Sequence, residues 1–373
     1  MIYLLLTWLA APLLWVRASS RKASAPRRIL VIQTAKIGDF VATTPIFRAL
    51  RQNLPDHEIV ALLHPVNVPL ASSLDSIDRI VELPKQGFKG WAGKRWLWQQ
   101  LNEGYAGVLM LSPNLTNLLV PLWAGVPRRV SVLADRRRGI ARLAWPLLTH
   151  GEPHRTGVLF RETALRALAG LGIKVDQTVL ALPNESVCSV KAKAHAADEL
   201  AGLMRPLIGL GLGAGNRMKA LNPDQLDELG KRLLANGPGT LVLVGVDADR
   251  EAATRLSSSL PPGRCHDTTG QWPLADLPAL LGALDVFVVV DSGATYLADA
   301  VGTPVVDFMG PADAEDQRPL GGRAIVIHSD EPCAPCSHAF DAPYRCHLGT
   351  RACIAHFPLQ HIVSATRKAL EPR

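Results

Sequence analysis

Short apolar runs alternate with amphipathic stretches along most of the chain. Ile29–Gln33 and Gly107–Leu111 are rich in aliphatic residues and too short for helices, so they predict buried strands. Thr44–Asn53 follows the first of them with apolar positions at helical spacing. Further strand candidates in the first half are Glu58–Leu63, Arg79–Leu83 and Arg129–Val132. Strands that alternate with helices indicate βαβ units and a parallel sheet.

The alternation stops between Asp176 and Val187, where DQTVLALPNESV contains a Pro-Asn turn and no helical period. We interpret this stretch as an interdomain linker, after which the alternation resumes. A chain of 373 residues is also longer than one ordinary core requires. We therefore predict an α/β chain with two doubly wound domains, 27–183 and 184–373, preceded by a segment, 1–26. Such domains bind ligands at the carboxyl ends of their strands and in the cleft between domains.

The N-terminal segment MIYLLLTWLAAPLLWV has 16 residues without a charge and is followed by the basic stretch RASSRKASAPRR. As a helix it would span about 24 Å, less than the roughly 30 Å of a bilayer core. A cleavable signal peptide carries its charges before the apolar run, whereas here they come after it, and Pro12 interrupts the run. We predict a membrane-associating segment with its basic flank on the cytoplasmic side. The alternative is a start codon assigned too far upstream.

Positive charge is concentrated in the first half of the chain. Met1 to Pro183 has 23 Lys and Arg against 11 Asp and Glu, whereas the remainder has 17 against 22. Basic groups lie at Arg17–Arg28, Lys85–Arg95 and Arg128–Arg142. They indicate either a solvated surface or a face for an anionic partner or membrane. The aromatic content of 5% and the lack of an aromatic-interleaved basic motif argue against a nucleic-acid reader.

Four of the six cysteines, Cys333, Cys336, Cys346 and Cys353, form the pattern C-x2-C-x9-C-x6-C. This is close to zinc-ribbon spacing but lacks a second C-x2-C. In a cytoplasmic protein these thiols would be reduced. A structural zinc and a cysteine-rich loop without metal both agree with the spacing.

Three loops that follow predicted strands carry candidate chemistry. GLGLGAGNRMK combines glycines, whose N–H groups can approach phosphate oxygens, with the cation Lys219, but it is neither a Walker loop nor a dinucleotide fingerprint. VVVDSGATYLADAVG places Asp291, Ser292 and Gly293 where a helix starts, which suits an anion and a sugar hydroxyl or simply a helix cap. In ILVIQTAKIGDFVATTP, Asp39 lies at a similar strand-to-helix junction, where it is either a cap or a base held ionised beside a substrate.

These segments together resemble one family, the ADP-heptose-dependent lipopolysaccharide heptosyltransferases of glycosyltransferase family 9. The resemblance extends from about Ile29 to the C-terminal helix, and the order and spacing of the motifs carry it, including LVLVGVDADRE, TTGQWPLADLPALLGALDVFVVVDSGATYLADAVGTPVVDFMGP and PCAPC. Membership implies a GT-B fold, in which two Rossmann-like domains face a cleft. It also implies an inverting transfer from a nucleotide-activated sugar at the inner face of the cytoplasmic membrane.

The resemblance also implies roles for individual residues. Asp39 matches the catalytic base, Lys219 the lysine that meets donor phosphate, and Asp249 the acidic residue at the donor ribose. Domain 27–183 would hold the acceptor, and domain 184–373, with its Cys-rich loop and C-terminal helix, would bind the nucleotide sugar. Further donor contacts are expected at Gly213, Asp291, Ser292, Gly293 and Tyr296, and acceptor-side contacts at Lys36, Gly38 and Thr43.

The sequence departs from the family pattern at three places. Tyr296 replaces a usual histidine, and Leu221-Asn222 replaces a Trp-Pro pair. Ser112 and Pro113 occupy a place that is usually acidic. The first two departures concern the choice of donor or acceptor sugar, and the third concerns the acceptor side.

We expect an inverting glycosyltransferase that moves heptose from an ADP-activated donor to a lipopolysaccharide core or a similar membrane-held saccharide. Its partners would be the nucleotide sugar as co-substrate, an anionic glycolipid and the cytoplasmic face of the inner membrane, with no nucleic acid. The transfer scheme requires no cofactor or metal. The alternatives are a GT-B transferase for another nucleotide sugar and a non-catalytic relative that binds sugar nucleotides.

Overall fold

Each half of the chain is built around six parallel strands. The computed structural model describes residues 2–21, 26–135, 139–235 and 237–371, and the chain divides into two units, Met1–Leu182 and Pro183–Arg373. Each unit has its own sheet, with helices in the connections between strands. The predicted class, two doubly wound α/β domains with an apolar N-terminal helix, is confirmed.

The first unit contains eight α-helices and six strands in the residues that are described. The strands are β1 (Arg28–Gln33), β2 (Glu58–Leu63), β3 (Arg79–Glu82), β4 (Gly107–Met110), β5 (Arg128–Leu133) and β6 (His150–Pro153). The helices are α1 (Ile2–Ser20), α2 (Ile37–Ala42), α3 (Thr44–Asn53), α4 (Val68–Ala71), α5 (Gly90–Asn102), α6 (Leu115–Trp123), α7 (Phe160–Arg166) and α8 (Gln177–Leu180). Short 3-10 turns cover Pro65–Asn67, Ile140–Leu147 and Ala167–Leu171.

The first sheet has the strand order β3-β2-β1-β4-β5-β6, with all pairs parallel. The chain therefore adds β2 and β3 on one side of β1 and then β4, β5 and β6 on the other, so the order of strand addition reverses between β1 and β4. These two strands pair from Ile29 opposite Gly107 to Ile32 opposite Met110. Doubly wound sheets bind ligands beyond the strand ends at such a reversal. The loops that follow β1 and β4 are consequently the expected functional loops of this unit.

The second unit repeats this arrangement. Its strands are β7 (Leu207–Gly211), β8 (Thr240–Val244), β9 (Cys265–Asp267), β10 (Val286–Val290), β11 (Val305–Met309) and β12 (Ala324–His328). Its helices are α9 (Val190–Glu199), α10 (Pro223–Leu234), α11 (Arg250–Ser258), α12 (Leu277–Gly282), α13 (Gly293–Ala300), α14 (Ala352–Ala355) and α15 (Leu359–Leu370), with 3-10 turns at Arg217–Lys219 and Asp247–Asp249. The strand order is β12-β11-β10-β7-β8-β9, so the reversal lies between β7 and β10.

Close packing of β7 against β10 depends on glycine. A Cβ on Gly209 would lie 2.4 Å from Leu284 Cδ1, and one on Gly211 would lie 2.5 Å from Val289 Cγ2. Both distances are too short for real side chains, so Gly209 and Gly211 leave room for larger residues of the neighbouring elements. Gly209 and Gly211 thus serve the packing of the sheet, since both lie within β7 and precede the loop.

Helix α1 packs along the first unit. Leu4, Ala11 and Leu14 are buried in the same apolar cluster as residues of β1, β4 and α6. Trp123 Nε1–H donates to Thr7 Oγ1 at 2.8 Å, which ties the helix to the end of α6. Among the described residues, α1 is the helix that is long and apolar enough to cross a membrane by length and composition.

The first-half strand predictions agree with the structure to within a residue or so, but β6 was not predicted. Its sequence, HGEP, has no apolar residue and is only half-buried at the edge of the sheet. In the stretch interpreted as a linker, Gln177–Leu180 forms one helical turn because Asp176 accepts hydrogen bonds from the N–H groups of Thr178 and Val179.

Candidate functional site

In both units the candidate functional residues lie beyond the ends of the strands between which the order of strand addition reverses. In the second unit, Lys219 follows β7 and Asp291 follows β10, so the two residues extend from neighbouring strands. Lys219 Nζ and Asp291 Oδ2 form an ion pair, and both side chains are largely shielded from solvent. A shielded ammonium requires such a partner, because burial of an unpaired charge is costly.

Tyr296 supports the same carboxylate from the first turn of α13. Its hydroxyl donates to Asp291 Oδ1 at 3.4 Å, and its ring is buried. Asp291 thus lies between the ammonium of Lys219 on one oxygen and the phenol of Tyr296 on the other. The tyrosine that replaces the usual family histidine therefore takes part in holding the lysine's partner.

Asp249 lies in the 3-10 turn that follows β8, next to the glycine-rich loop. Its Oδ2 accepts from Val246 N–H at 3.0 Å, and its Oδ1 accepts from Arg217 Nη1–H at 2.9 Å. A Cβ on Gly213 would lie 2.8 Å from Asp249 Oδ1, so only glycine permits this approach. The carboxylate of Asp249 is buried, whereas the Arg217 side chain is 62% exposed and available to a ligand.

The Asp291-Ser292-Gly293 loop begins α13. Ser292 N–H donates to Thr295 Oγ1 at 3.2 Å, which uses one of the amides predicted to face an anion. The Ser292 hydroxyl oxygen is buried and has no hydrogen-bond partner within the described ranges. A hydroxyl of this kind at a helix start suits a ligand oxygen.

Arg351 attaches the cysteine-rich segment to the Lys219 loop. Its Nε–H donates to Met218 O at 3.2 Å, and its Nη2–H donates to Ala220 O. The guanidinium therefore holds the carbonyls on both sides of Lys219. Arg351 has a φ of 52°, in the left-handed region that a non-glycine residue seldom adopts. Asn216 Nδ2–H adds a second link by donating to Pro343 O at 2.8 Å.

A second carboxyl group lies close to the ion pair. Asp307 on β11 is fully buried, and within the described chain neither of its oxygens has a hydrogen-bond partner. Burial, reinforced by the charge of Asp291, raises the pKa of the Asp307 carboxyl well above its ordinary value, and Lys219 opposes this only in part. Burial therefore favours the neutral form of the Asp307 carboxyl, and Lys219 forms its ion pair with Asp291.

In the first unit, Asp39 lies in the first turn of α2, directly beyond β1. Its backbone carbonyl accepts from Thr43 Oγ1 at 2.8 Å and from Gln33 Nε2 at 3.3 Å. These bonds anchor the main chain of the turn, and the Asp39 side chain is half-buried. Lys36, just before the helix, is exposed, and Gly38 is half-buried.

A neutral polar network joins the two functional loops of the first unit. Gln33 is fully buried, and its Oε1 accepts from Ser112 Oγ at 2.7 Å. Ser112 Oγ also accepts from Thr34 N–H at 3.1 Å. Ser112 occupies the place that is usually acidic in the family, so a hydroxyl bridges β1 and β4 here. Asn67 Nδ2–H adds a further tie by donating to Ala35 O at 2.9 Å.

Thr43 is placed differently from the other predicted acceptor-side residues. It is buried, and its hydroxyl is engaged by Gln33, Asp39 and Phe40. These bonds give Thr43 a role in shaping the α2 turn that carries Asp39, rather than a hydroxyl presented to solvent.

The four predicted metal-binding cysteines are free thiols that lie near one another. Burial raises the pKa of Cys353 to about 11, with a contribution from the other three thiols. Among the described residues, however, the compact group of ligand atoms, all within 4.8 Å of one another, belongs to Asp313, Asp316 and His338. The zinc hypothesis for Cys333, Cys336, Cys346 and Cys353 stays a prediction.

Sequence reasoning missed three residues that shape these sites. Arg217 lies inside the quoted glycine-rich motif, where only Met218 separates it from Lys219. This position could have identified it as a second cation of the same loop. Arg351 and Gln33 offer no comparable signal, because their partners are 131 and 79 residues away in sequence. Only the folded chain brings each of them to its loop.

Comparisons with known proteins agree with this architecture. Residues 94–344 match the family model described as glycosyltransferase family 9 (heptosyltransferase). Lipopolysaccharide heptosyltransferase 2 of Salmonella typhimurium is 26% identical over 80% of this chain and 87% of its own length. Two solved structures each cover 92% of this chain: E. coli ADP-heptose lipopolysaccharide heptosyltransferase II (TM-score 0.70, 22% identity, 98% of that chain) and a family 9 glycosyltransferase from Veillonella parvula (TM-score 0.74, 18% identity, 97% of that chain).

Replacing Asp307 with Asn is expected to stabilise the protein at neutral pH. The wild-type carboxyl binds its proton more tightly when folded, so the free energy of unfolding falls as pH rises from the ordinary carboxyl pKa of about 4 toward the raised value. Asp307→Asn removes this loss, so the variant should be more stable than the wild type at neutral pH, and the gain should vanish near the ordinary carboxyl pKa of about 4. Thermal unfolding across this pH range measures it.

The matched control is Asp330→Asn, which changes an exposed carboxyl in the same unit. It should leave the pH profile of stability close to that of the wild type. A lower melting temperature for Asp307→Asn at neutral pH would show that the buried carboxyl is ionised and favourably paired.

Removing the Arg351 clamp is expected to loosen the Lys219 loop. Arg351→Ala deletes the two donors to the carbonyls of Met218 and Ala220, whereas Arg345→Ala removes an exposed guanidinium from the same segment. Hydrogen exchange at residues 213–222 should accelerate in the first variant only, because local opening no longer breaks those bonds. Unchanged exchange in Arg351→Ala would mean that other contacts hold the loop.

Proposed function

This chain belongs to glycosyltransferase family 9, as the sequence resemblance predicted, and we propose that it transfers heptose from ADP-heptose to a saccharide of lipopolysaccharide, with inversion at the anomeric carbon. Glycosyl transfer follows from the family. The similar proteins from Salmonella typhimurium and E. coli bear the names of lipopolysaccharide heptosyltransferases, which supports the sugar and the class of acceptor.

The observation that carries the donor assignment is the Lys219–Asp291 ion pair beside the Ser292 hydroxyl at the β7/β10 reversal. A diphosphate needs a cation that is already positioned and hydrogen-bond donors at a helix start. Lys219 supplies the cation, Ser292 supplies a hydroxyl, and the exposed Arg217 guanidinium extends from the same 3-10 turn as Lys219. Asp249, held by Arg217, is proposed to contact the ribose.

Asp39 is proposed as the general base. As the acceptor oxygen attacks the anomeric carbon, Asp39 takes the hydroxyl proton, and the bond from that carbon to the donor diphosphate breaks. Lys219 then stabilises the negative charge on the departing diphosphate. The Gln33–Thr43 bonds that hold the Asp39 carbonyl fix the backbone of this base. Lys36 and Gly38 border the same turn and are proposed on the acceptor side.

The proposed place of reaction is the cytoplasmic face of the inner membrane, where a lipid-held acceptor is available. The apolar α1 and the positive excess of the first half support this location. A transferase for another nucleotide sugar is the second candidate, because Tyr296 contacts Asp291 where the family usually has histidine.

Transfer assays with purified protein test the function. ADP-heptose and a panel of other nucleotide sugars would be offered with lipopolysaccharide that lacks core heptose, and the products would be identified by mass spectrometry. We expect a heptose adduct from the ADP donor. Transfer only from another nucleotide sugar would show that this sugar, and not heptose, is the one that the enzyme transfers. Binding without any transfer would favour a non-catalytic relative.

Asp39→Asn is expected to lower turnover by roughly 10²–10⁴-fold, because the amide cannot accept the proton in the transition state. Donor affinity should be nearly unchanged. Steady-state kinetics and calorimetry with ADP measure the two effects, and Asp75→Asn, an exposed carboxylate in the same unit, serves as the control. Turnover at the wild-type rate in Asp39→Asn would remove this residue from the mechanism.

Lys219→Ala is expected to weaken ADP binding by ~1.5–3 kcal/mol, the range for a charge-assisted contact. The loss has two parts: phosphate loses its cation, and Asp291 loses the charge that neutralises it. Calorimetry measures the change against Lys231→Ala, which removes an exposed lysine of α10. Equal ADP affinity in the two variants would contradict the donor assignment.

A further inference from the structure

Helix α1 is apolar on two opposite sides. Its inner stripe packs on the first unit and includes Leu4, Thr7, Ala11, Leu14 and Ala18, all of which are buried. Its outer stripe is 60–78% exposed and consists of Ile2, Leu5, Leu9, Leu13 and Val16. A helix that is apolar all round is normally buried on all sides, yet the inner stripe accounts for only one side. The outer stripe is the feature that requires an explanation.

Contacts along the length of α1 hold it against the unit. Near its start, the Tyr3 ring stacks on Trp123 with a centroid distance of 6.3 Å. In the middle, Trp8 Nε1–H donates to Leu143 O at 3.0 Å. Just after its last turn, Arg21 Nη1–H donates to Ala124 O at 2.9 Å. A helix crossing a bilayer would leave the unit along its own axis, whereas these contacts keep α1 alongside the unit for its whole length of about 28 Å.

The exposed apolar surface continues onto the neighbours of α1. Leu143, the acceptor of the Trp8 bond, has an exposed side chain. On α5, Trp91 and Trp98 are exposed and share one helical stripe with Lys94 and Arg95. Lys94 Nζ lies 5.5 Å from the centroid of the Tyr3 ring, so this stripe adjoins α1. Contiguous exposed apolar patches of this kind mark binding surfaces.

The described segments that form this surface carry charges of one sign. Arg17, Arg95 and Arg142 are exposed, and segments 2–21, 90–102 and 139–148 contain no Asp or Glu. Arg142 also lies over the Trp145 ring, 4.9 Å from its centroid. Exposed aliphatic side chains with tryptophans and a basic margin are typical of segments that lie in the interface of an anionic membrane. Two copies of this surface placed face to face would oppose like charges, which disfavours self-association.

We propose that α1 lies flat in the membrane interface, with its outer stripe among the acyl chains, and that Leu143 and the α5 stripe extend the same lipid-binding face. The basic residues at its margin contact anionic headgroups. The helix is thus a built-in part of the first unit that holds it on the membrane, rather than a separate span. This inference does not depend on which sugar the enzyme transfers.

Point variants of the full-length protein test the proposal, because deletion of α1 would also expose its inner contacts. Leu9→Gln/Leu13→Gln alters the outer stripe, and Val190→Gln/Val246→Gln changes two exposed apolar residues of the second unit as a control. Flotation with vesicles that contain anionic lipid should show about tenfold or greater weakening for the first variant only. Thermal unfolding should be unchanged in both, since the altered side chains are exposed.

Two further measurements separate the alternatives. Arg95→Gln/Arg142→Gln should weaken binding to anionic vesicles and leave the weaker binding to zwitterionic vesicles unchanged. Alkaline carbonate should release the wild-type protein from cell membranes, as expected for an interfacial helix. The proposal is overturned if carbonate leaves it embedded, as a span would be, if Leu9→Gln/Leu13→Gln binds vesicles like the wild type, or if that variant instead dissociates a lipid-free dimer.

Discussion

The ion pair between Lys219 and Asp291 is the interaction on which the second unit's site depends. It joins the loop after β7, which carries the lysine, to the loop after β10, which carries the aspartate. The pairing neutralises a largely shielded ammonium. The nearby Asp307 would compete for that lysine if it were ionised, but burial raises the pKa of its carboxyl and so favours the neutral form. Tyr296 and Arg351 then hold the two sides of the pair, one through the Asp291 carboxylate and the other through the backbone around Lys219.

The first unit builds its functional loops around a neutral network instead. Gln33 and Ser112 connect the ends of β1 and β4, and Thr43 holds the turn that carries Asp39. These neutral hydrogen bonds position the backbone of the turn that carries Asp39. The two units therefore share a strand order but differ at the loops beside the reversal, because an ion pair joins these loops in the second unit and neutral hydrogen bonds join them in the first.

In the proposed placement, helix α1 would serve both the fold of the first unit and its contact with a membrane. Its inner stripe completes the apolar cluster around α6, while its outer stripe has no counterpart in the described chain. Because hydrogen bonds from Trp123 and Trp8 tie it down along its length, the orientation of the outer stripe is set by the unit itself. A first unit oriented in this way would meet a membrane-held acceptor with the same face each time.

Local patterns were enough to predict most of the strands and the tandem doubly wound architecture, because apolar periodicity and glycine-rich turns act over a few residues. The family followed from a resemblance that the order and spacing of the motifs carried along the chain. The same patterns pointed to Lys219 and Asp291 individually, since each follows a buried strand. The tertiary structure decided their pairing and the contacts of Arg351, because contacts across 72 to 133 residues depend on strand order. It also decided the burial that raises the pKa of Asp307. The edge strand β6 has no apolar residue of its own, so it could be identified only from its hydrogen-bonded pairing with β5. Likewise, only the packing of the first unit against one side of α1 shows which of its apolar residues stay exposed.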